Sequence, residues 1–265
     1  MKVSQSIRIG LALLAAKLSG RIAPLVVNWS LTNRCNYRCK YCSIWSKASK
    51  ELNTRQVFFI IDELHRCGNR AIAFSGGEPL LRDDISDIIG YCAGKGIYTR
   101  LTTNGSLVED KINCLSQVGF VRVSMDCPKE AHESQRQAGS YDNTIKAVKL
   151  LKERNIKVGL NCVISKLNVS HLRVMLEEAR RLNVKVNFQP LERRNSEDSI
   201  SEIIPGPAEN KEAFAFLIAE KKKGNKQIAN SLPTLRYLHD FPDTAAMKCW
   251  AGILAWRIMP DGIIT

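Results

Sequence analysis

This chain of 265 residues lacks long apolar runs, and it lacks the even number of cysteines that a disulfide scaffold usually has. No segment approaches the roughly 18 uncharged apolar residues that a membrane-spanning helix needs, which excludes an integral helical membrane protein. The 45% hydrophobic and 25% charged residues are typical of a globular protein and exclude a disordered or collagen-like chain. The nine cysteines are an odd number, which argues against a secreted disulfide scaffold and favours a reducing compartment, the cytoplasm.

Acidic residues are missing from positions 1–50, although this segment contains nine lysines and arginines. Such a basic excess is typical of proteins that bind nucleic acid, an anionic membrane, an acidic substrate or an anionic cofactor, and a solvated basic face is the simplest alternative. Because the basic residues outside positions 31–42 lack interleaved aromatic residues, no nucleic-acid partner is expected. Residues 6–18 predict an amphipathic basic helix that packs on the core or on a partner, and peripheral membrane contact stays open.

From residue 25 onward, β-rich runs alternate with helix-period segments, which is the pattern of βα units with a parallel sheet. The six predicted strands are 26–32, 71–75, 98–103, 120–126, 157–165 and 185–191. The five predicted helices between them are 54–67, 85–95, 108–118, 141–154 and 170–182. Each strand ends in a polar, glycine-containing or cysteine-containing segment, and ligands of parallel α/β folds sit at the carboxyl ends of the strands. We therefore expect the chemistry at one rim of the sheet.

The pattern changes after residue 192, where a polar stretch leads to Pro205-Gly206-Pro207 and then to predicted helices at 208–223 and 232–239. We predict three parts of the chain: an N-terminal basic helix at 1–24, a core domain at 25–205, and a helical linker with a short extension at 206–265.

Three cysteines, Cys35, Cys39 and Cys42, follow the first predicted strand with the spacing C-x3-C-x2-C. Three close thiolates select zinc or an iron–sulfur cluster, and the next cysteine or histidine, His65, falls inside a predicted helix. Three ligands suit a four-iron cluster with one iron left open for another ligand. We expect the nearby basic side chains Arg34, Arg38 and Lys40 to lower the pKa of the thiols.

The string LTNRCNYRCKYC at 31–42 closely resembles the cluster loop of the radical S-adenosylmethionine (radical SAM) superfamily. The resemblance implies a partial (β/α)6, TIM-like barrel and a [4Fe-4S] cluster that is bound by the three cysteines. In that family, the open iron is chelated by the amino and carboxylate groups of SAM. The aromatic residue before the third cysteine, here Tyr41, lies near the adenine.

Two further motifs at strand ends resemble elements of the same family. Gly76-Gly77-Glu78 is similar to the GGE motif that binds the SAM amino group, and its glycines are expected to let the backbone approach a ligand closely. Ser124 and Arg136 match the serine and arginine that contact the SAM carboxylate. Arg136 is followed by glutamine, whereas the family commonly has glycine at that position.

The segment from Cys249 to Gly262 resembles the opening of the SPASM/twitch extension of one radical SAM subgroup. Twelve residues separate Cys249 from Gly262, so the next cysteine of that pattern would fall at position 267. We therefore expect a C-terminally truncated form, with an auxiliary Fe-S cluster in a full-length form. A buried cysteine in a small hairpin is the alternative for Cys249.

The function that this resemblance implies is reductive cleavage of SAM and abstraction of hydrogen from a peptide or a small cofactor precursor. The expected electron donor is a flavodoxin-type or ferredoxin-type protein. Two alternatives stay open: a non-catalytic binding or electron-transfer protein with structural zinc or a cluster, and an inactive fragment of the enzyme.

Overall fold

The computed structural model describes residues 24–48, 50–191, 202–241 and 255–265. The predicted helix at 6–18 and the candidate ligand Cys249 lie outside these ranges. Within them, no helix is both long enough and apolar enough to cross a bilayer.

The described residues form one sheet of seven parallel strands in the order β6-β5-β4-β3-β2-β1-β7. Strands β1 to β6 lie side by side in chain order, as a βα-repeat pattern predicts. The bounds are β1 Val26–Thr32, β2 Ala71–Gly76, β3 Tyr98–Thr103, β4 Phe120–Ser124, β5 Val158–Ile164, β6 Val186–Pro190 and β7 Ala255–Ile258. The α/β class and the curled, partial-barrel architecture are confirmed.

The helices cover one side of the sheet and follow the predicted positions closely. Their bounds are α1 Thr54–Arg66, α2 Ile85–Gly94, α3 Ile112–Leu115, α4 Lys129–Gln135, α5 Ser140–Glu153, α6 Leu172–Arg181, α7 Pro207–Lys222 and α8 Leu232–Asp240. Helix α1 begins at a capping box, in which Asn53 and Gln56 each accept a hydrogen bond from the other's backbone N–H.

Three elements differ from the prediction. Helix α3 is one turn instead of the predicted 108–118, because residues 106–111 form turns. The seven-residue helix α4 is additional and is too short to show a helical period in the sequence. Strand β7 is also additional: it pairs in parallel with β1, and no periodic pattern marks its four residues.

The two faces of the sheet differ in character, because successive side chains of a strand point to opposite sides. Buried apolar side chains pack against the helices from one face, including Val27, Trp29, Leu101, Val123 and Phe188. The other, concave face carries many of the polar side chains of the strands, including Asn28, Arg100, Arg122, Asn161 and Asn187. The concave face therefore offers a polar wall beside the rim where the strands end.

Candidate functional site

The segments that follow β1, β2 and β3 are joined by hydrogen bonds at the carboxyl rim of the sheet. The Gly77 backbone N–H donates to the Thr32 carbonyl oxygen over 2.7 Å, and the Glu78 N–H donates to the Arg34 carbonyl oxygen over 2.8 Å. The Asn104 side-chain amide donates to the side-chain oxygen of Asn36 over 2.8 Å. The predicted meeting of strand ends is therefore present, and the cysteine loop is part of it.

The three cysteines are unpaired and partly exposed, and their thiols interact electrostatically with one another. No group of three cysteines, histidines or carboxylates in the described ranges is spaced to hold a single metal ion. The loop rests on α4, because the Lys40 backbone N–H donates to the Gln135 carbonyl oxygen over 2.8 Å.

The expected lowering of thiol pKa by nearby basic residues is wrong for two of the cysteines. Burial raises the pKa of Cys39 to about 11, although Arg136 opposes this shift. Burial also raises the pKa of Cys35, and the opposing charge of Arg38 is a smaller effect. Desolvation of the thiolate outweighs these cations in the protein part of the site.

The two glycines of the GGE motif make a close backbone contact with the cysteine loop. A Cβ on Gly76 would overlap the Thr32 carbonyl oxygen, and a Cβ on Gly77 would overlap the Arg34 carbonyl oxygen. Gly76 also has φ +130°, a backbone conformation that residues with a side chain rarely adopt. The glycines therefore let the end of β2 pack closely against the backbone of the cysteine loop.

Glu78 is almost fully buried, and its carboxylate accepts three hydrogen bonds from its own protein. The donors are the Leu80 N–H (3.1 Å), the Thr103 hydroxyl (2.9 Å) and the Asn104 N–H (2.7 Å). Burial raises the pKa of Glu78 to about 7, although these donors favour the ionised form. Glu78 therefore holds the turn after β3 in place, and any ligand amine must share oxygens that are already engaged.

Arg136 and Tyr41 meet at a third residue, Asp126, which follows β4. The Tyr41 hydroxyl donates to Asp126 Oδ2 over 3.0 Å, and Arg136 Nε donates to the same oxygen over 2.8 Å. The Arg136 guanidinium carbon lies 5.4 Å from the centroid of the Tyr41 ring. We call these three side chains the inner trio. The sequence motifs gave no role to Asp126.

The charge of Arg136 is secured by this contact. Burial alone would lower the pKa of the guanidinium, but the Asp126 carboxylate outweighs it and holds the pKa above its usual value. Ser124 is the last residue of β4 and precedes Asp126 by two residues. Its hydroxyl makes no hydrogen bond to any residue that the structure describes, so it is available to a ligand near Arg136.

Several buried polar atoms beside the cysteine loop also lack a partner in the described part of the protein. They include both side-chain amide atoms of Gln135. Buried polar groups are rarely left unsatisfied in native proteins, so these atoms fit a polar ligand or ordered water at this rim. The residues present fit a cluster and SAM: free thiols for iron, and the Ser124 hydroxyl and the terminal nitrogens of Arg136 for a carboxylate.

Comparison with known proteins agrees with this geometry. The model of the Radical SAM superfamily matches residues 29–179. The Fe-coproporphyrin III synthase of Methanosarcina barkeri is 34% identical over 159 residues, which are 57% of this chain and 40% of the relative. The PqqA peptide cyclase of Granulibacter bethesdensis is 30% identical over 167 residues, which are 60% of this chain and 45% of the relative. The chain thus spans less than half the length of these two relatives.

Solved structures support the fold. The Streptococcus suis protein SuiB bound to S-adenosylmethionine has a TM-score of 0.77 at 16% identity, covering 95% of this chain and 62% of SuiB. The protein anSMEcpe with bound AdoMet and the Cp18Cys peptide has a TM-score of 0.62 at 22% identity, covering 77% of this chain and 63% of anSMEcpe.

Proposed function

The chain belongs to the radical SAM superfamily, and from this premise we propose that it cleaves SAM reductively and abstracts hydrogen from a substrate. The family implies a [4Fe-4S] cluster and SAM as cofactors. When bound, the reduced cluster supplies the electron that converts SAM into methionine and a 5′-deoxyadenosyl radical. The observation that carries the proposal is the packing of a three-cysteine loop against Gly77, Glu78 and the inner trio at one rim.

The protein's own residues bind the cluster and orient SAM. We propose Cys35, Cys39 and Cys42 as the ligands of three irons. Gly76, Gly77 and Glu78 form the wall that receives the SAM amino group, and Tyr41 lies beside the adenine. Ser124 and Arg136 bind the SAM carboxylate. The apolar core on the far side of the sheet keeps these strand ends in register.

We propose a peptide or a small cofactor precursor as the substrate. Named relatives include a peptide cyclase and a synthase of an iron porphyrin, and the polar concave face of the sheet gives such a substrate a wall beside SAM. A flavodoxin-type or ferredoxin-type reductant is the proposed electron donor. No nucleic-acid partner is proposed.

We propose the same three parts of the chain that the sequence predicts: a basic helix at 1–24, the core at 25–205, and a linker with the start of a SPASM/twitch extension at 206–265. In a longer form of the protein, Cys249 is the proposed ligand of an auxiliary Fe-S cluster. The eight cysteines in the described ranges are unpaired, which supports a reducing, cytoplasmic location.

The test is anaerobic reconstitution with iron and sulfide, followed by iron counting and an assay of dithionite-dependent formation of 5′-deoxyadenosine. We expect about four irons per chain and SAM cleavage, and the loss of both in Cys39→Ala. Cys67→Ala is the matched control, since Cys67 is exposed at the end of α1, away from the rim. One bound zinc, or a cluster that leaves SAM intact, would contradict the proposal and favour the non-catalytic alternative.

A further inference from the structure

The carboxylate of Asp126 is fully buried and joins three separate elements. Its Oδ2 atom accepts the two hydrogen bonds of the inner trio, from Tyr41 and Arg136. Its Oδ1 atom accepts the backbone N–H of Val163 in β5 over 2.9 Å. One side chain therefore fixes the cysteine loop, the end of α4 and the neighbouring strand relative to one another.

The contact with Asp126 leaves the two terminal guanidinium nitrogens of Arg136 free to bind a ligand. Asp126 occupies the Nε atom, whereas the two terminal nitrogens make no hydrogen bond to the residues that the structure describes. A guanidinium anchored at Nε still presents a planar fork of N–H donors, which matches the geometry of a carboxylate. An unanchored arginine side chain would have to lose rotamer freedom on binding, which weakens affinity.

The backbone of Asp126 is fixed as well. Its N–H donates to His132 Nδ1 over 2.9 Å. Burial lowers the pKa of His132 to about 4, with a smaller contribution from Arg136 in the same direction. The imidazole is therefore neutral at physiological pH and accepts this hydrogen bond, and it adds no second cation that would compete for Asp126.

We propose that Asp126 is a positioning residue that aims the free fork of Arg136 at the SAM carboxylate and holds Tyr41 beside the cluster loop. Asp126 itself touches neither cofactor. This inference rests on the proposed function, because it requires SAM to bind at Arg136.

The test compares two ligands that share the adenosine thioether and differ in the amino acid end, which includes the carboxylate that Arg136 would bind. S-adenosylhomocysteine carries the amino acid carboxylate, whereas 5′-methylthioadenosine lacks the whole amino acid end. Dissociation constants for both are measured by calorimetry on reconstituted wild-type protein and Asp126→Asn. We expect Asp126→Asn to weaken S-adenosylhomocysteine binding about tenfold or more. A tyrosine hydroxyl can donate to the amide oxygen or accept from the amide nitrogen of an asparagine, so Tyr41 keeps its contact with this position and the cysteine loop stays in place. Binding of 5′-methylthioadenosine should therefore change less than about twofold, and the iron content should not change.

Asp62→Asn is the matched control, because Asp62 accepts a tyrosine hydroxyl and pairs with a cation on the outer helices. It should alter neither dissociation constant. Equal weakening of both ligands by Asp126→Asn, or no weakening of either, would overturn the positioning role. If the wild-type protein binds neither ligand, the proposed function itself fails, and that outcome is distinct from a defect confined to the variant.

A double variant covers the case in which Asp126→Asn does not fold. Asp126→Asn combined with Arg136→Gln removes both buried charges, so no uncompensated charge remains. If Asp126 acts through Arg136, the double variant binds S-adenosylhomocysteine within about twofold of Arg136→Gln alone. A further loss beyond that would show that Asp126 acts by another route, and would overturn the inference.

Discussion

Two aspartates in this chain have the same kinds of partner in very different surroundings. Asp126 accepts the Tyr41 hydroxyl over 3.0 Å and Arg136 Nε over 2.8 Å, and both charged side chains are at most 6% exposed. Asp62 accepts the Tyr91 hydroxyl over 3.0 Å and pairs with Lys95 over 2.6 Å. There the side chains of Asp62 and Lys95 are 38% and 28% exposed. We call Asp62, Tyr91 and Lys95 the outer trio.

Burial changes what the same contacts do. Water screens the outer trio and solvates each member when a partner leaves, so its contribution to folding is small. In the inner trio, each charge depends on the other because water is excluded, and loss of one leaves a buried unpaired charge. The inner trio therefore fixes the positions of its side chains at the rim, whereas the outer trio adds only a weak, exposed contact between α1 and α2.

The largest expected difference between the trios is in stability. Asp126→Ala leaves Arg136 buried without its anion and should lower the free energy of unfolding by about 3–5 kcal/mol. Asp62→Ala leaves its partners in water and should lower this free energy by less than about 1 kcal/mol. Denaturant unfolding of both variants beside the wild type, under anaerobic conditions, measures the difference. Similar losses of unfolding free energy in the two variants would mean that burial does not make the inner trio more important for stability than the outer trio.

Replacing a glycine in each of the two regions tests how closely the backbone packs at the rim and on the outer helices. Gly77→Ala places a methyl group against the Arg34 carbonyl oxygen and should destabilise the protein by about 1–3 kcal/mol and reduce iron incorporation. Gly94→Ala, at the end of α2, meets no atom within 4 Å and should stabilise by up to about 1 kcal/mol. Iron counting and denaturant unfolding check both variants. Full iron loading in Gly77→Ala would show that the loop does not need this close approach.

The smallest expected effect is the pH dependence of the outer trio. The hydrogen bond from Lys95 holds the pKa of Asp62 below its usual value. The stability that Asp62 contributes is therefore present above its unfolded pKa of about 3.9 and is lost as the pH falls through its folded pKa. The difference in unfolding free energy between wild type and Asp62→Asn should be constant above about pH 5 and should shrink as the pH falls below about 4 and through the folded pKa of Asp62. A difference that grows on acidification would reverse the assigned sign.

Most of the sheet could be predicted from the sequence because each strand and helix carries its own short-range pattern. Val26–Thr32 and Tyr98–Thr103 have their predicted bounds, and the other strands of the repeat differ by one or two residues at their ends. The cysteine loop and the GGE motif were found in the same way, since their residues are neighbours in the chain. Strand β7 was missed because only its pairing with β1 defines it.

The sequence by itself determined the alternating βα order, the rim that would carry the chemistry, and the residue types available there. The tertiary structure alone decided which of those residues touch. Asp126 binds Tyr41 and Arg136, Glu78 is engaged by the turn after β3, and the two glycines face the cysteine loop. The physical reason is that helix and strand periods are local properties of a few consecutive residues. Hydrogen bonds between distant segments and the burial that strengthens them exist only once the strands lie side by side.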